Sequence, residues 1–213
     1  MTLVESVVNW VQNCEFVAGT PKKISPEILG FCKTLGADAP GFLTITPTDE
    51  AESSLCAHNV DIEVDKGNGL LQAGWTIWQM ENAYLVAERH AVLRTRNGLV
   101  DITPQADGAR RSLFAPTSEV PESFAIPCRY LPLVDHPLIH SATGLLEWNS
   151  QLFYEGLFRC PDYLINDRRI ASSLRKYFDI QKRRQGAKQE SQRKKRRKAE
   201  RQRKKQARLR ARG

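Results

Sequence analysis

A thiol, an imidazole and a carboxylate occur in this chain in settings that suit a thiol active site: Cys56, His90 and Asp101. Cys56 closes the run Ser53-Ser54-Leu55-Cys56, His90 sits in Glu88-Arg89-His90-Ala91-Val92, and Asp101 in Leu99-Val100-Asp101-Ile102-Thr103-Pro104. A thiol is a good nucleophile only as its thiolate, a form favoured by a helix N-terminus and by a neighbouring imidazolium. Taken singly each residue has a structural explanation, since free cysteine is among the most buried residue types and strand histidines usually pack. Their joint order is what points to chemistry.

The elements around them can be read from periodicity. Leu3, Val4, Val7, Val8 and Val11 fall at helical spacing, and Pro26 to Leu35 forms a second short amphipathic pattern after Ser25, a natural cap. Pro40-Gly41 breaks the chain, Phe42 to Thr46 reads as a strand, and Pro47-Thr48-Asp49-Glu50 suits the start of a helix that carries Cys56 and fades before Gly67-Asn68-Gly69. Thr48, Ser53 and Ser54 are its candidate caps. From Leu70 the period changes. Trp75 to Trp78, Tyr84 to Leu93 and Leu99 to Thr103 are rich in aromatic and β-branched residues and read as three antiparallel strands, with Asn97-Gly98 as the last turn. Prolines at 104, 116, 121, 127, 132 and 137 predict loops and short strands such as Ser112 to Phe114. Helical patterns return at Leu145, Trp148, Leu152 and Phe153, and at Ile170, Leu174, Tyr177 and Phe178.

Helix with cysteine, strand with histidine, strand with aspartate is an order that resembles the transglutaminase-like core, a branch of the papain-like thiol enzymes, over roughly residues 48 to 104. The best local match is His90-Ala91-Val92 followed past a turn by Val100-Asp101-Ile102-Thr103-Pro104. The resemblance implies an α+β fold in which the cysteine helix packs on a small antiparallel sheet. It also implies attack by the Cys56 thiolate on an amide or acyl carbon, with His90 as proton shuttle and Asp101 holding the imidazole. Water or an amine would then take the acyl group.

Strand register constrains this reading. A two-residue hairpin centred on Asn97-Gly98 would put His90 opposite Gln105, leaving Asp101 four residues away, roughly 13 Å at the strand rise. A wider loop over Arg94 to Asn97 would set His90 directly opposite Asp101. The triad therefore requires that loop or a bulge. For the oxyanion, the Cys56 backbone N–H is the natural donor, with the Asn59 side chain or the Trp75 indole as further candidates.

A metal alternative would use Cys56, His58, His90 and Asp101, but residues two apart on a helix point in different directions and no second Cys or His pair has finger-like spacing. His136 and His140 straddle Pro137, which starts a helix and leaves them as surface or capping groups. No cofactor is implied. Trp75, Ile77 and Trp78 suit either a core or an aromatic substrate wall.

The net charge of +8 divides unequally. Residues 181 to 213 hold 17 Lys or Arg against two acids, +15, which leaves −7 for residues 1 to 180. We therefore expect a globular domain over 1–180 and a basic tail over 181–213 that is disordered or a fluctuating helix. Arg193, Lys194, Lys195, Arg196, Arg197, Lys198, Arg201, Arg203, Lys204 and Lys205 form its densest phosphate-binding run. Such a run favours nucleic acid or a ribonucleoprotein, with a steep salt dependence. No aromatic residue lies beyond Gln181, so base stacking is unavailable, and with Leu209 as its one large aliphatic residue the tail offers no face for membrane insertion. Five cysteines without a CxxC pair, and a start lacking a basic, continuously apolar leader, suit a reducing, cytoplasmic setting. Two functions are consistent with all this: a thiol enzyme acting on a peptide or other amide substrate, localised by its tail, or a non-enzymatic nucleic-acid-binding protein on a thiol-enzyme scaffold.

Overall fold

The structure, a computed structural model, describes residues 18–105, 108–157 and 160–210. The expected helix over Leu3 to Val11 and Cys14 lie outside the described residues. Among the described residues the fold is α+β: four helices around a nearly closed antiparallel sheet. The elements in chain order are α1 (Pro26–Thr34), β1 (Gly41–Thr44), α2 (Cys56–Asp65), β2 (Leu70–Met80), β3 (Tyr84–Thr95), β4 (Gly98–Val100), β5 (Arg111–Pro116), β6 (Arg129–Pro132), α3 (Pro137–Tyr154) and α4 (Pro161–Arg210).

The two longest strands, β2 and β3, form the centre of the sheet, whose order is β1-β5-β2-β3-β4 with β6 also on β3. Closure comes from the far ends. Ile45, just after β1, bridges to Asp101, just after β4, and the Thr46 N–H donates to the Asp101 carbonyl at 2.8 Å. The outer edge of β3 has two partners: β6 covers Tyr84 to Ala87 and β4 covers Leu93 to Thr95. Residues 88–92, His90 among them, fall in the gap between these ladders.

Three apolar clusters hold the layers. Ser25 caps α1, its Oγ accepting from the Ile28 N–H at 3.4 Å, and Pro26 sits at the helix start where no N–H is needed. Ile28, Phe31 and Cys32, at i, i+3 and i+4, then bury against Trp75, Ile77, Leu85 and Leu113. In the same way α3 and α4 pack Ile139, Ala142, Leu146, Ile170, Leu174 and Tyr177 onto Met80 and Tyr84. Helix α2 buries Val60 against Ala91, Leu93 and Ile102. Beyond this packing α4 continues through the basic segment, and the side chains of residues 182–200 are exposed. At about 1.5 Å per residue its 50 residues span roughly 75 Å. Among the described residues no helix is long and apolar enough to cross a membrane.

Two local expectations are corrected. Helix α2 does not start in the Thr48-Asp49-Glu50 region: Leu55 is its N-cap, without a side-chain cap, and Ser54 instead takes a positive φ of 66° that turns the chain into the helix. The β3–β4 turn is also shifted. Thr95 pairs with Gly98, so the turn centres on Arg96-Asn97, and Gly98, with φ 121°, supplies the positive dihedral. The Thr95 hydroxyl fastens this turn, accepting from the Asn97 N–H at 3.1 Å and donating to the Gly98 carbonyl at 3.0 Å.

Gly74 is the tightest point of the sheet. It lies opposite His90, and a Cβ there would overlap the Ala115 carbonyl oxygen and the Phe114 ring. Gly74→Ala should therefore lower unfolding free energy by about 1–3 kcal/mol in denaturant titrations. Gly30→Ala, at an uncrowded site in α1, should raise it by about 0.5–1 kcal/mol through helix propensity. Equal effects of the two substitutions would contradict this packing.

Candidate active site

The turn register decides whether the carboxylate reaches the imidazole. Extending the β3–β4 pairing of Leu93 with Val100 sets His90 opposite Thr103 and Asp101 one diagonal step away on the same face. Diagonal neighbours have Cβ atoms roughly 7–8 Å apart, a span that an imidazole and a carboxylate bridge. Both registers considered from sequence, His90 opposite Gln105 and His90 opposite Asp101, are replaced by this intermediate one. His90 Nε2 lies 3.0 Å from Asp101 Oδ1.

Asp101 is fully buried and His90 is 6% exposed. The carboxylate is saturated: Oδ1 also accepts from the Thr103 N–H at 3.1 Å, and Oδ2 from the Ser112 hydroxyl at 2.8 Å. Burial disfavours its charge, but the His90 imidazolium, and then the bonds from His90, Ser112 and Thr103, hold the carboxyl below its ordinary 3.8. For His90, burial is again the largest single influence and disfavours the cation. The Asp101 charge and hydrogen bond, with a further contribution from Cys56 as hydrogen-bond partner and charge, together outweigh it and lift His90 from 6.5 to about 10. Phe114 stands edge-on to the ring, with centroids 6.3 Å apart.

Cys56 is the first residue of α2 and is half-buried. Asp101 occupies Nε2, and Cys56 acts on the same imidazole as a hydrogen-bond partner. The first amides of a helix have no intrahelical partner. Leu55 offers no side-chain cap, so α2 presents the positive end of its dipole at Cys56 without a capping oxygen. The helix is held from both ends. Near its start Asn59 clamps the approach loop, donating to the Glu52 carbonyl at 2.8 Å and to Thr103 Oγ1 at 3.2 Å while accepting from the Glu52 N–H at 2.9 Å. Near its end Lys66 joins Glu50, at 2.8 Å, to Glu63, at 3.1 Å, and Asn68 donates to Glu63 at 2.6 Å.

Cys56, His90 and Asp101 thus converge. The further oxyanion candidates fare otherwise. Asn59 has its amide committed to Glu52 and Thr103, making it a positioning residue, and Trp75 is buried with α1, on the opposite side of the strand from His90. Ile77 shares that core, while Trp78 is half-buried and donates to Glu88 at 3.3 Å. His58 is exposed, and among the described residues no group of His, Cys, Asp or Glu is arranged to hold a metal ion. His136 caps α3, its Nδ1 accepting from the Leu138 N–H at 3.2 Å, and His140 pairs with Asp135 at 3.1 Å. Sequence reasoning missed Ser112 and Thr103. Asp-x-Thr is a legible Asx-turn pattern, whereas Ser112 carries no signal in the chain.

On the basic segment, Arg193, Lys194, Lys195, Arg196, Arg197 and Lys198 are exposed on α4, with Lys194 paired to Glu190 at 2.8 Å. The side chains of Arg201, Arg203, Lys204 and Lys205 lie outside the described ones. No family model, no curated protein and no solved structure matches the chain.

The His90–Asp101 pair links folding to pH. His90, raised to about 10, contributes stability that is complete below 6.5 and is lost as pH climbs towards 10. Asp101, lowered below 3.8, contributes stability that is complete above 3.8 and is lost as pH falls through its depressed value. Asp101→Asn removes the largest of the influences that raise His90, so His90 should then titrate well below about 10 by NMR. A His90 that still titrated at about 10 in this variant would contradict the assignment of its partner.

Proposed function

We propose that the protein carries out thiol-dependent acyl chemistry on amides, with Cys56 as nucleophile, His90 as proton carrier and Asp101 as the group that orients and charges the imidazole. The observation that carries this reading is the bond from His90 Nε2 to Asp101 Oδ1, 3.0 Å long and buried, with Cys56, the first residue of its helix, acting on the same imidazole as hydrogen-bond partner and charge. The order of elements and the packing of the cysteine helix on the antiparallel sheet support a transglutaminase-like variety of the papain-like enzymes.

In the first step the Cys56 thiolate adds to the carbonyl carbon. The developing oxyanion is met by the Cys56 N–H, and the C–N bond breaks as the His90 imidazolium gives its proton to the departing amine. A thioester remains on Cys56. Water or an amine then attacks it, His90 takes the proton of the incoming group, and the electron pair of the C–S bond returns to sulfur. Peptidase, deamidase and acyltransferase chemistry share these steps and differ in the amide admitted and in the final acceptor.

A second reading is supported by the exposed cations of α4. Their spacing along a long helix suits contact with the phosphates of a nucleic acid or ribonucleoprotein, either to localise the enzyme or, if the thiol is inert, as the protein's whole function. The acidic body, −7 over residues 1–180, competes with phosphate for the same cations.

Two measurements separate these readings. Iodoacetamide at neutral pH should label Cys56 at least about tenfold faster than Cys14, Cys32, Cys128 or Cys160, and His90→Ala should remove that advantage. Equal labelling would end the enzymatic proposal. Deletion of residues 181–213 should abolish salt-sensitive retention on nucleic acid, and unchanged retention would remove the tail's role.

A further inference from the structure

The gap between the β4 and β6 ladders holds more than the buried His90. Glu88 lies two residues before it on the same face of β3, and its side chain is exposed. Continuing the β3–β6 register, which pairs Val86 with Tyr130 and Ala87 with Arg129, sets Cys128 opposite Glu88. At this point β6 has left the ladder: the Cys128 N–H donates instead to the Ser150 hydroxyl of α3 at 2.7 Å. Tyr154, one helical turn further along α3, has its phenol pushed up first by burial and then by the charges of Cys128, Glu88 and Cys56. Trp78 and Tyr130, cross-strand neighbours of Val86 on either side, complete the surroundings.

Glu88 is unusual among these groups in its partners. It accepts only a long bond from Trp78 Nε1, 3.3 Å, and among the described residues no Lys or Arg pairs with it. The cations of the neighbouring strands are engaged elsewhere: Arg89 stacks over the Trp75 ring at 4.2 Å on the other side of β3, and Arg129 meets Glu147 at 3.6 Å. An unpaired carboxylate among half-buried Trp78, Tyr130 and Tyr154 has the chemistry of a cation receptor, since the carboxylate supplies charge and the ring faces attract an ammonium or guanidinium.

We propose that Glu88, with Trp78, Tyr130 and Tyr154, forms a subsite beside Cys56 that selects substrates carrying an alkylammonium or guanidinium group next to the reacting acyl centre. This rests on the proposed function and names its substrate class: basic peptides or amine-bearing amides in preference to acidic ones. Glu88 here determines specificity and takes no part in bond making.

The full-length protein can be tested with small thiol probes of opposite charge. Aminoethyl methanethiosulfonate is a cation and sulfonatoethyl methanethiosulfonate an anion, and modification of each cysteine is followed by peptide mass spectrometry. The cation-to-anion rate ratio at Cys56 should exceed that at half-buried Cys160 by about tenfold, as one nearby unpaired charge would produce. Glu88→Gln, which retains an acceptor for Trp78, should bring the ratio at Cys56 down to that of Cys160. Trp78→Phe should lower it less. A ratio at Cys56 unchanged by Glu88→Gln overturns the subsite. Because the ratio is defined whatever the absolute rate, a sluggish Cys56 with a Glu88-dependent ratio would refute the thiol-enzyme reading while leaving the cation subsite standing.

Discussion

Asp101 is a carboxylate with no exposed surface, and taking a charge of that kind out of water costs several kcal/mol unless the protein replaces what water supplied. Here three donors do so: the imidazole of His90, the amide of Thr103 and the hydroxyl of Ser112. They come from β3, from the residues after β4, and from β5, so the carboxylate is satisfied only when the two ends of the sheet have come together. The bridge between Ile45 and Asp101 lies at that seam. Closure of the sheet and assembly of the charged pair are therefore one event, and a change that loosens the seam releases the imidazole as well.

From this pair the rest of the site follows. An imidazole fixed through Nε2 has a defined orientation, and the divergence of β4 and β6 along one edge of β3 leaves an opening between the ladders beside it. Helix α2 fills part of the opening with its first residue, and the ties from Asn59 to Glu52 and Thr103 keep that residue from drifting. A reactive sulfur needs both a charged neighbour and access from solvent. Cys32 lacks that access, and desolvation pushes its thiol up to about 11. The exposed part of the gap belongs to Glu88, flanked by half-buried aromatic side chains of β2, β6 and α3.

Much of this was legible in the chain. Richness in aromatic and β-branched residues located β2 and β3, Ser25-Pro26 marked the start of α1, and His90 and Asp101, singled out together in the chain, are hydrogen-bonded. What could not be read were features decided by tertiary contacts. Asn97-Gly98 is a strong turn signal, yet here glycine takes the positive φ after a turn centred on Arg96-Asn97, and that single displacement moves the histidine from an unreachable register to a diagonal one. Thr48, Ser53 and Ser54 all looked like helix caps, but Asn59 holds the Glu52 backbone away from a helical path and α2 starts at the cysteine itself. Ser112 became a ligand of Asp101 because β5 joins β1 to β2, a long-range pairing with no local trace.

The central claim is that His90 and Asp101 make Cys56 an acyl acceptor, and the most direct measurement is to trap the acyl group. Incubation with an activated aryl ester, followed by mass spectrometry of the intact and digested protein, should find stoichiometric, hydroxylamine-labile acylation confined to Cys56, absent in Cys56→Ser and strongly slowed in His90→Ala. Acylation scattered over lysines and other cysteines, or indifferent to His90, would contradict the account.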